Sequence, residues 1–266
     1  MPGGPLKLAF YGDDFTGSTD VLEALSLAGL KTVLFLQVPK PEDVAAHDGL
    51  QAEGVAGATR ALTPEAMEKV LVPAFEALRG LGAPLLHYKI SSTFDSSPGT
   101  GSIGKACDGG RAVMGSSCVP LVVAAPHLGR YCVFGNLFAR SSLDGETFRL
   151  DRHPVMSVHP ATPMDEADLA RHLARQTSQS VSLFDILKLQ GAEAQVDHRF
   201  EEALAAEPDI VLFDGLLETH MARIGKILWT RAEKEGPLYA VGSSGLEYAL
   251  SSYWRQAQPR VSPPAF

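Results

Sequence analysis

The sequence is short of cysteine, of basic clusters and of long apolar runs, and each shortage removes a class of protein. Its three cysteines, Cys107, Cys118 and Cys132, are odd in number and nowhere in a CxxC spacing. That pattern offers neither a disulfide framework nor a zinc cluster, so buried free thiols in a reducing cytoplasm are expected. Lysine and arginine total 23 against 31 acids, a net charge of -8. With no Lys/Arg run anywhere, nucleic acid is not an expected partner, because a phosphate backbone needs a basic face. The longest apolar runs, such as "PLVVAAP" at Pro120–Pro126, are far too short to span a bilayer. The opening "MPGGPLKLAFYGDD" has no charged segment followed by a long apolar one, so no export signal is expected.

What remains is ordinary globular composition: 266 residues, 45% hydrophobic and 20% charged. The length suits one large α/β domain or two small ones. Short apolar, β-rich runs alternate with helical patterns from end to end. Strands are expected over Leu6–Tyr11, Thr32–Val38, Glu53–Ala58, Leu85–Ile90, Pro120–Ala125, Val181–Phe184, Asp209–Phe213 and Leu238–Val241. Helices are expected over Ser18–Ala28, Pro64–Arg79, Ile103–Met114, Asp165–Gln176, Phe200–Ala205, Glu218–Glu235 and Leu246–Arg255. Val21, Leu22, Leu25 and Ala28 form one apolar stripe closed by Gly29, and Thr63 before Pro64 reads as an N-cap. This alternation predicts an α/β fold, a mostly parallel sheet with helices on both faces in Rossmann-like layers. Arg130–Pro163 breaks the rhythm and reads as an insertion or hairpin over the sheet edge. Residues 256–266, "QAQPRVSPPAF", read as a linker-like tail after a domain spanning 1–255.

The stretch "GDDFTG" follows the first strand, where open parallel sheets bind their ligands. Asp13 suits the task of accepting helix N–H groups, with Thr16 or Ser18 as further caps. Capping needs only one acid, so Asp14 is left for hydroxyl binding, base catalysis or a cation. A second loop, "YKISSTFDSSPGTGSIG", opens with Lys89 at a strand end and continues through Ser91, Ser92, Thr93, Asp95 and Ser96. A solvated Ser/Gly loop is the plain alternative, but a buried lysine needs an anionic partner. The loop does not match a Walker P-loop. In "ATRAL", Arg60 follows the third strand and could grip a carboxylate or phosphate, although alone it would more often be a surface arginine.

Together, "YGDDFTGSTDVLEALSLAGLKTVLFL", "ATRAL" and "YKISSTFDSSPGTGSIG" resemble the four-carbon acid sugar kinase family, formerly a domain of unknown function. "GRYCVFGNLFAR", "HPATPMDEADLARHLARQT" and "AVGSSGLEYAL" extend the resemblance over essentially the whole chain. The resemblance implies ATP-dependent phosphorylation of a terminal hydroxyl on 3-oxo-tetronate, threonate or erythronate, with "STFDS" closer to the 3-oxo-tetronate branch. It implies an N-terminal domain for the sugar acid, and a separate domain, not contained in this chain, for ATP and Mg²⁺. Carried over, the substrate-facing set is Asp13, Asp14, Thr16, Arg60, Lys89, Ser92, Thr93 and Asp95, with Asp14 or Asp13 as catalytic base and Arg60 and Lys89 on the substrate carboxylate. The nearest candidate for nucleotide is Gly242, Ser243, Ser244 and Gly245, where a tight turn into the last helix is the favoured alternative. One departure is Asn136 in "VFGNLF", where close relatives are expected to carry histidine. The expected partner is a small sugar acid, with room left for a homo-oligomer. Two rival readings stay open: a metal-dependent phosphoesterase using the acid pair, and a non-catalytic sugar-acid binder.

Overall fold

The computed structural model describes residues 6–143 and 145–257. In chain order the first half runs β1 (Leu8–Gly12), α1 (Phe15–Leu27), β2 (Thr32–Phe35), α2 (Pro41–Ala45), β3 (Ala52–Ala56), α3 (Pro64–Gly80), β4 (Leu85–Lys89), α4 (Ile103–Met114) and β5 (Val119–Val122). An antiparallel trio follows, β6 (Arg130–Val133), β7 (Asn136–Arg140) and β8 (Thr147–Arg149). The chain then returns through α5 (Leu169–Leu173), β9 (Val181–Phe184), α6 (Glu193–Leu204), β10 (Ile210–Phe213), α7 (Glu218–Glu235), β11 (Leu238–Gly242) and α8 (Gly245–Ala257).

Eight strands form one parallel sheet in the order β2-β3-β1-β4-β11-β5-β10-β9. Every residue of β1, β3, β4, β5, β10 and β11 is buried, as strands covered on both faces must be. Successive residues of β4 show the two layers, because strand side chains alternate between faces. Tyr88 packs edge-on to Phe75 of α3, with ring centroids 5.9 Å apart. Its neighbour His87 points the other way and meets Glu247 of α8 at 2.5 Å. Helix α3 buries Met67, Leu71, Ala74, Phe75 and Leu78 on one side. Each of its large apolar side chains contributes about 1.5–3 kcal/mol by leaving water.

Helix boundaries follow local chemistry. Thr63 caps α3 ahead of Pro64, and α1 ends against Gly29, whose φ of 85° suits a residue without a Cβ. Helix α1 starts at Phe15, earlier than the expected Ser18, because Asp14 caps it. The helix expected over Asp165–Gln176 shrinks to α5, since Asp168 accepts from the Ala170 and Arg171 amides and fixes the start there. Helix α6 begins at Glu193, ahead of the expected Phe200, because its first turns are too polar to show an apolar stripe. The expected tail begins inside α8, which reaches Ala257; residues 258–266 lie outside the described residues. No described helix is long and apolar enough to cross a membrane, and all three cysteines are buried free thiols.

From β1 the chain passes through α1 towards β2 on one side of the sheet. From β4 it passes through α4 towards β5 on the other. β1 and β4 are neighbours in register, Gly12 beside Lys89. The chain therefore diverges between them, and a parallel sheet opens a crevice at such a switch point. The irregular insertion is the β6–β8 sheet, pinned over the carboxyl ends of β10 and the edge strand β9. Buried Asp214, just after β10, accepts the amides of Phe134, Gly135 and Ile186 at 2.6, 2.9 and 3.1 Å. Burial pushes its carboxyl up, while those three amides pull it back.

Candidate functional site

Backbone hydrogen bonds lace three loops together at the switch point. The Asp13 amide donates to the Lys89 carbonyl at 2.9 Å, and the Arg60 amide donates to the Asp13 carbonyl at 3.0 Å. Residues 47 and 76 positions from Asp13 are thereby fixed beside it. Arg60 stands on a short turn of 3₁₀ helix, Thr59–Ala61, directly after β3.

The acid pair divides its work in the reverse of the sequence expectation. Asp14, and not Asp13, is the N-cap of α1: its Oδ1 accepts the Gly17 amide at 2.8 Å. Asp13 is buried and takes the Arg60 fork, Nε to Oδ2 at 2.9 Å and Nη2 to Oδ1 at 2.7 Å. The remaining Arg60 nitrogen, Nη1, donates to Asp14 Oδ2 at 2.9 Å. The reversal has a local cause. The extended backbone of Asp14 (φ −147°, ψ 166°) sets its side chain over the first turn of α1. Burial pushes the Asp13 carboxyl up from its ordinary value, against the pull of Arg60 and Lys89. Burial alone would lower the Arg60 value, but its bonds and charge attraction to the two acids outweigh that and hold it firmly protonated.

An open cleft of about 480 Å³ lies in front of this cluster. Asp14, Thr16, Arg60, Lys89 and Ser92 all line it, so the fold gathers these sequence-selected residues around one cleft. Asp13 is behind Arg60. Thr93 and Asp95 also stand back, in a relay where Thr93 Oγ1 meets Ser91 Oγ at 2.8 Å and Asp95 Oδ1 at 2.9 Å. Ser91 carries that relay to the cleft. Lys89 is 3% exposed, yet its Nζ has no carboxylate within ion-pair distance among the described residues.

Several lining residues escaped the sequence reading. Thr19, Asp20 and Glu23 continue the face of α1 that Thr16 begins, and Leu128 reaches in from the loop after β5. The three- and four-residue steps from Thr16 carried a readable signal; Leu128 had none. The Gly242–Gly245 stretch lies elsewhere in role. Ser243 and Ser244 are fully buried, and Ser243 Oγ donates to the Val123 carbonyl while accepting the Gly245 amide. A Cβ on Gly245 would stand 1.9 Å from the Ala124 carbonyl, so the turn serves close packing. Asn136 bonds its own hairpin through Nδ2 to the Phe134 carbonyl. His153 likewise accepts the amides of Val155 and Met156. Among the described residues no group of three or more His, Cys, Asp or Glu could hold a metal ion.

Comparison with known proteins puts this geometry in company. A family profile described as a sugar-binding N-terminal domain matches residues 8–250. A 3-oxo-isoapionate kinase of Paraburkholderia graminis is 48% identical over 96% of this chain and 53% of its own length. A 3-oxo-tetronate kinase of Pseudomonas fluorescens is 34% identical over 94% of this chain and 55% of its own. A crystal structure from Salmonella typhimurium, given the provisional label of a tRNA synthase, superposes with a TM-score of 0.82 at 26% identity. That match covers 96% of this chain and 57% of the other. The chain thus spans about half the length of the relatives it matches. Profile, fold and sequence agree: this chain belongs to the sugar-binding N-terminal domain family of the four-carbon acid sugar kinases.

Proposed function

We propose that this chain is the acceptor-binding part of a kinase that phosphorylates a terminal hydroxyl of a small sugar acid. The observation that carries the reading is the convergence of the acid pair, Arg60 and Lys89 from three separate strand ends on one cleft. The names of the relatives point to a 3-oxo acid of the isoapionate or tetronate type, with threonate and erythronate as further candidates.

Phosphoryl transfer asks little of the acceptor side beyond position and a proton acceptor. Asp14 is proposed for that proton. It faces the cleft, and its two oxygens are already oriented by the Gly17 amide and Arg60. Asp13 is assigned to hold Arg60 in place. Ser92 and Thr16, which line the cleft, are proposed to meet the acid's other hydroxyls, and Thr93 and Asp95 to set Ser91. ATP would supply the phosphoryl group and Mg²⁺ would shield its charge. No described residues form a metal-binding group, and the Gly242–Gly245 turn is packed shut. Both are therefore assigned outside the matched region, in the further length that the relatives possess. A cytoplasmic location fits such chemistry.

A phosphoesterase reading gains nothing from the geometry, because a guanidinium already occupies the carboxylates that would ligate a metal. The test is titration calorimetry of the 266-residue chain with 3-oxo-isoapionate, 3-oxo-tetronate, threonate and erythronate. Saturable binding of at least one acid is expected; none with any of them overturns the reading.

A further inference from the structure

Helix α5 touches the loop that presents Ser91 and Ser92 to the cleft. His172, 3% exposed, meets Ser96 Oγ through Nε2 at 3.0 Å. Its ring packs edge-on to Phe94, with centroids 5.7 Å apart. Gln176, just after the helix, donates to the same hydroxyl at 3.0 Å. Ser96 Oγ itself donates to the Phe94 carbonyl at 3.0 Å. With its single proton spent there, the hydroxyl accepts from both Gln176 and His172, which places the proton of a neutral imidazole on Nε2. His172 Nδ1 is buried and finds no partner among the described residues, so a proton there has nothing to bond. Burial lowers the His172 value, helped by Arg175, while the Ser96 backbone, Asp165 and Glu166 pull it back. The bend held by this clamp is strained. Phe94 is fully buried with a φ of 58°, a left-handed backbone that a bulky residue keeps only under restraint. Around that bend Thr93 Oγ1 meets Asp95 Oδ1 at 2.9 Å and Ser91 Oγ at 2.8 Å, and Ser91 lines the cleft. At its start α5 is seated on the β6–β7 turn. There the Leu169 amide donates to the Gly135 carbonyl and the Leu137 amide to the Ala167 carbonyl, both at 2.9 Å.

We infer that His172 is a positioning residue for acceptor binding: its Nε2–H holds Ser96, Ser96 holds the Phe94 bend, and the bend sets Ser91 and Ser92 at the cleft. The inference rests on the acceptor-binding reading and adds to it a buried residue that touches no substrate. It also gives the β6–β8 insertion a task, because that hairpin carries α5 to the loop. Release of the clamp lets Phe94 relax to an ordinary backbone, and Ser91, Thr93 and Asp95 lose their mutual bonds. Affinity for the acid then falls while the parallel sheet stays folded.

Calorimetry on the whole chain tests this with whichever of 3-oxo-isoapionate, 3-oxo-tetronate, threonate and erythronate binds wild type most tightly. His172→Leu keeps an apolar contact with Phe94 and removes the donor. With folding checked by circular dichroism, its affinity should fall about tenfold. His172→Gln restores an N–H near the Nε2 position and should recover affinity to within about threefold of wild type. Ser96→Ala should weaken binding to the same extent as His172→Leu, and the two together no further than either alone. Nitrogen NMR of the His172 ring in wild type depends on no variant folding; a proton on Nε2 alone is expected at neutral pH. Wild-type affinity in folded His172→Leu or folded Ser96→Ala overturns the inference. So do additive losses in the double variant, His172→Gln binding no better than His172→Leu, or a ring protonated on Nδ1. Each of these leaves the acceptor-binding reading standing. If none of the four acids binds wild type, that reading fails and this inference with it.

Discussion

At Gly17 one methyl group would reach two charges, Asp14 Oδ1 and Lys89 Nζ, each 2.6 Å from an added Cβ. The backbone there is helical, so alanine suits the conformation. Gly17→Ala should therefore change stability by less than about 1 kcal/mol while weakening sugar-acid binding about tenfold or more. Chemical denaturation beside calorimetry checks both halves. Asp14→Asn separates cap from charge in the same way. Asparagine caps as well as aspartate, so the fold should hold within about 1 kcal/mol, while binding and proton acceptance fall. Unchanged affinity in that variant would reduce Asp14 to a cap. Glu53 carries a pH prediction. It sits in β3 between Ala9 and Val33, fully buried, with no hydrogen-bond partner for either oxygen among the described residues. Burial pushes its carboxyl up to about 7 from 4.5. The unfolded chain loses this proton first, so stability is highest below about pH 4.5 and declines as pH rises to about 7. Glu53→Gln removes that decline. Its stability relative to wild type should rise by about 2–3 kcal/mol between pH 5 and pH 8, measured as denaturation midpoints at both values.

Among the elements, the β6–β8 insertion depends most on a single side chain. Asp214 holds the β6–β7 turn and the loop after β9 through three amides. Phe134 in that turn takes a φ of 48°, which a bulky residue adopts only under restraint. Asp214→Ala leaves buried amides without an acceptor and should cost about 3–5 kcal/mol. Equilibrium denaturation reads that loss, and a change under about 1 kcal/mol would show the insertion to be held by its apolar contacts instead. Elements of strong period were legible from residues alone: α3 with its Thr63–Pro64 start, α4, α7, and the apolar strands. Helix α6 and the shortened α5 were not, because a polar first turn and a competing Asp168 cap leave no mark on periodicity. The neighbours Asp13 and Asp14 could not be told apart either. Which of them caps α1 depends on the direction in which the chain leaves β1, and that direction is a property of the fold.

At the scale of the whole molecule, the layered parallel sheet was readable from alternation, and the meeting of the three loops followed from the rule that parallel strands open their ligand site at one edge. Strand order was not readable, since β11 enters between β4 and β5 through pairings that no local stretch encodes. Nor could the sequence show that Arg60 would be absorbed by the acid pair, which needs the two loops in contact. Only the acceptor side is proposed for this chain, so it should give no phosphorylated sugar acid when incubated with ATP and Mg²⁺. Product from the chain alone would show a nucleotide site within it. The most direct measurement is an amide-resolved NMR titration of the chain with 3-oxo-isoapionate. Saturable shifts should cluster at Asp14–Gly17, Arg60 and Lys89–Ser92. No shifts at millimolar ligand, or shifts confined to the groove between α7 and α8 around Arg223 and Tyr253, would contradict the account.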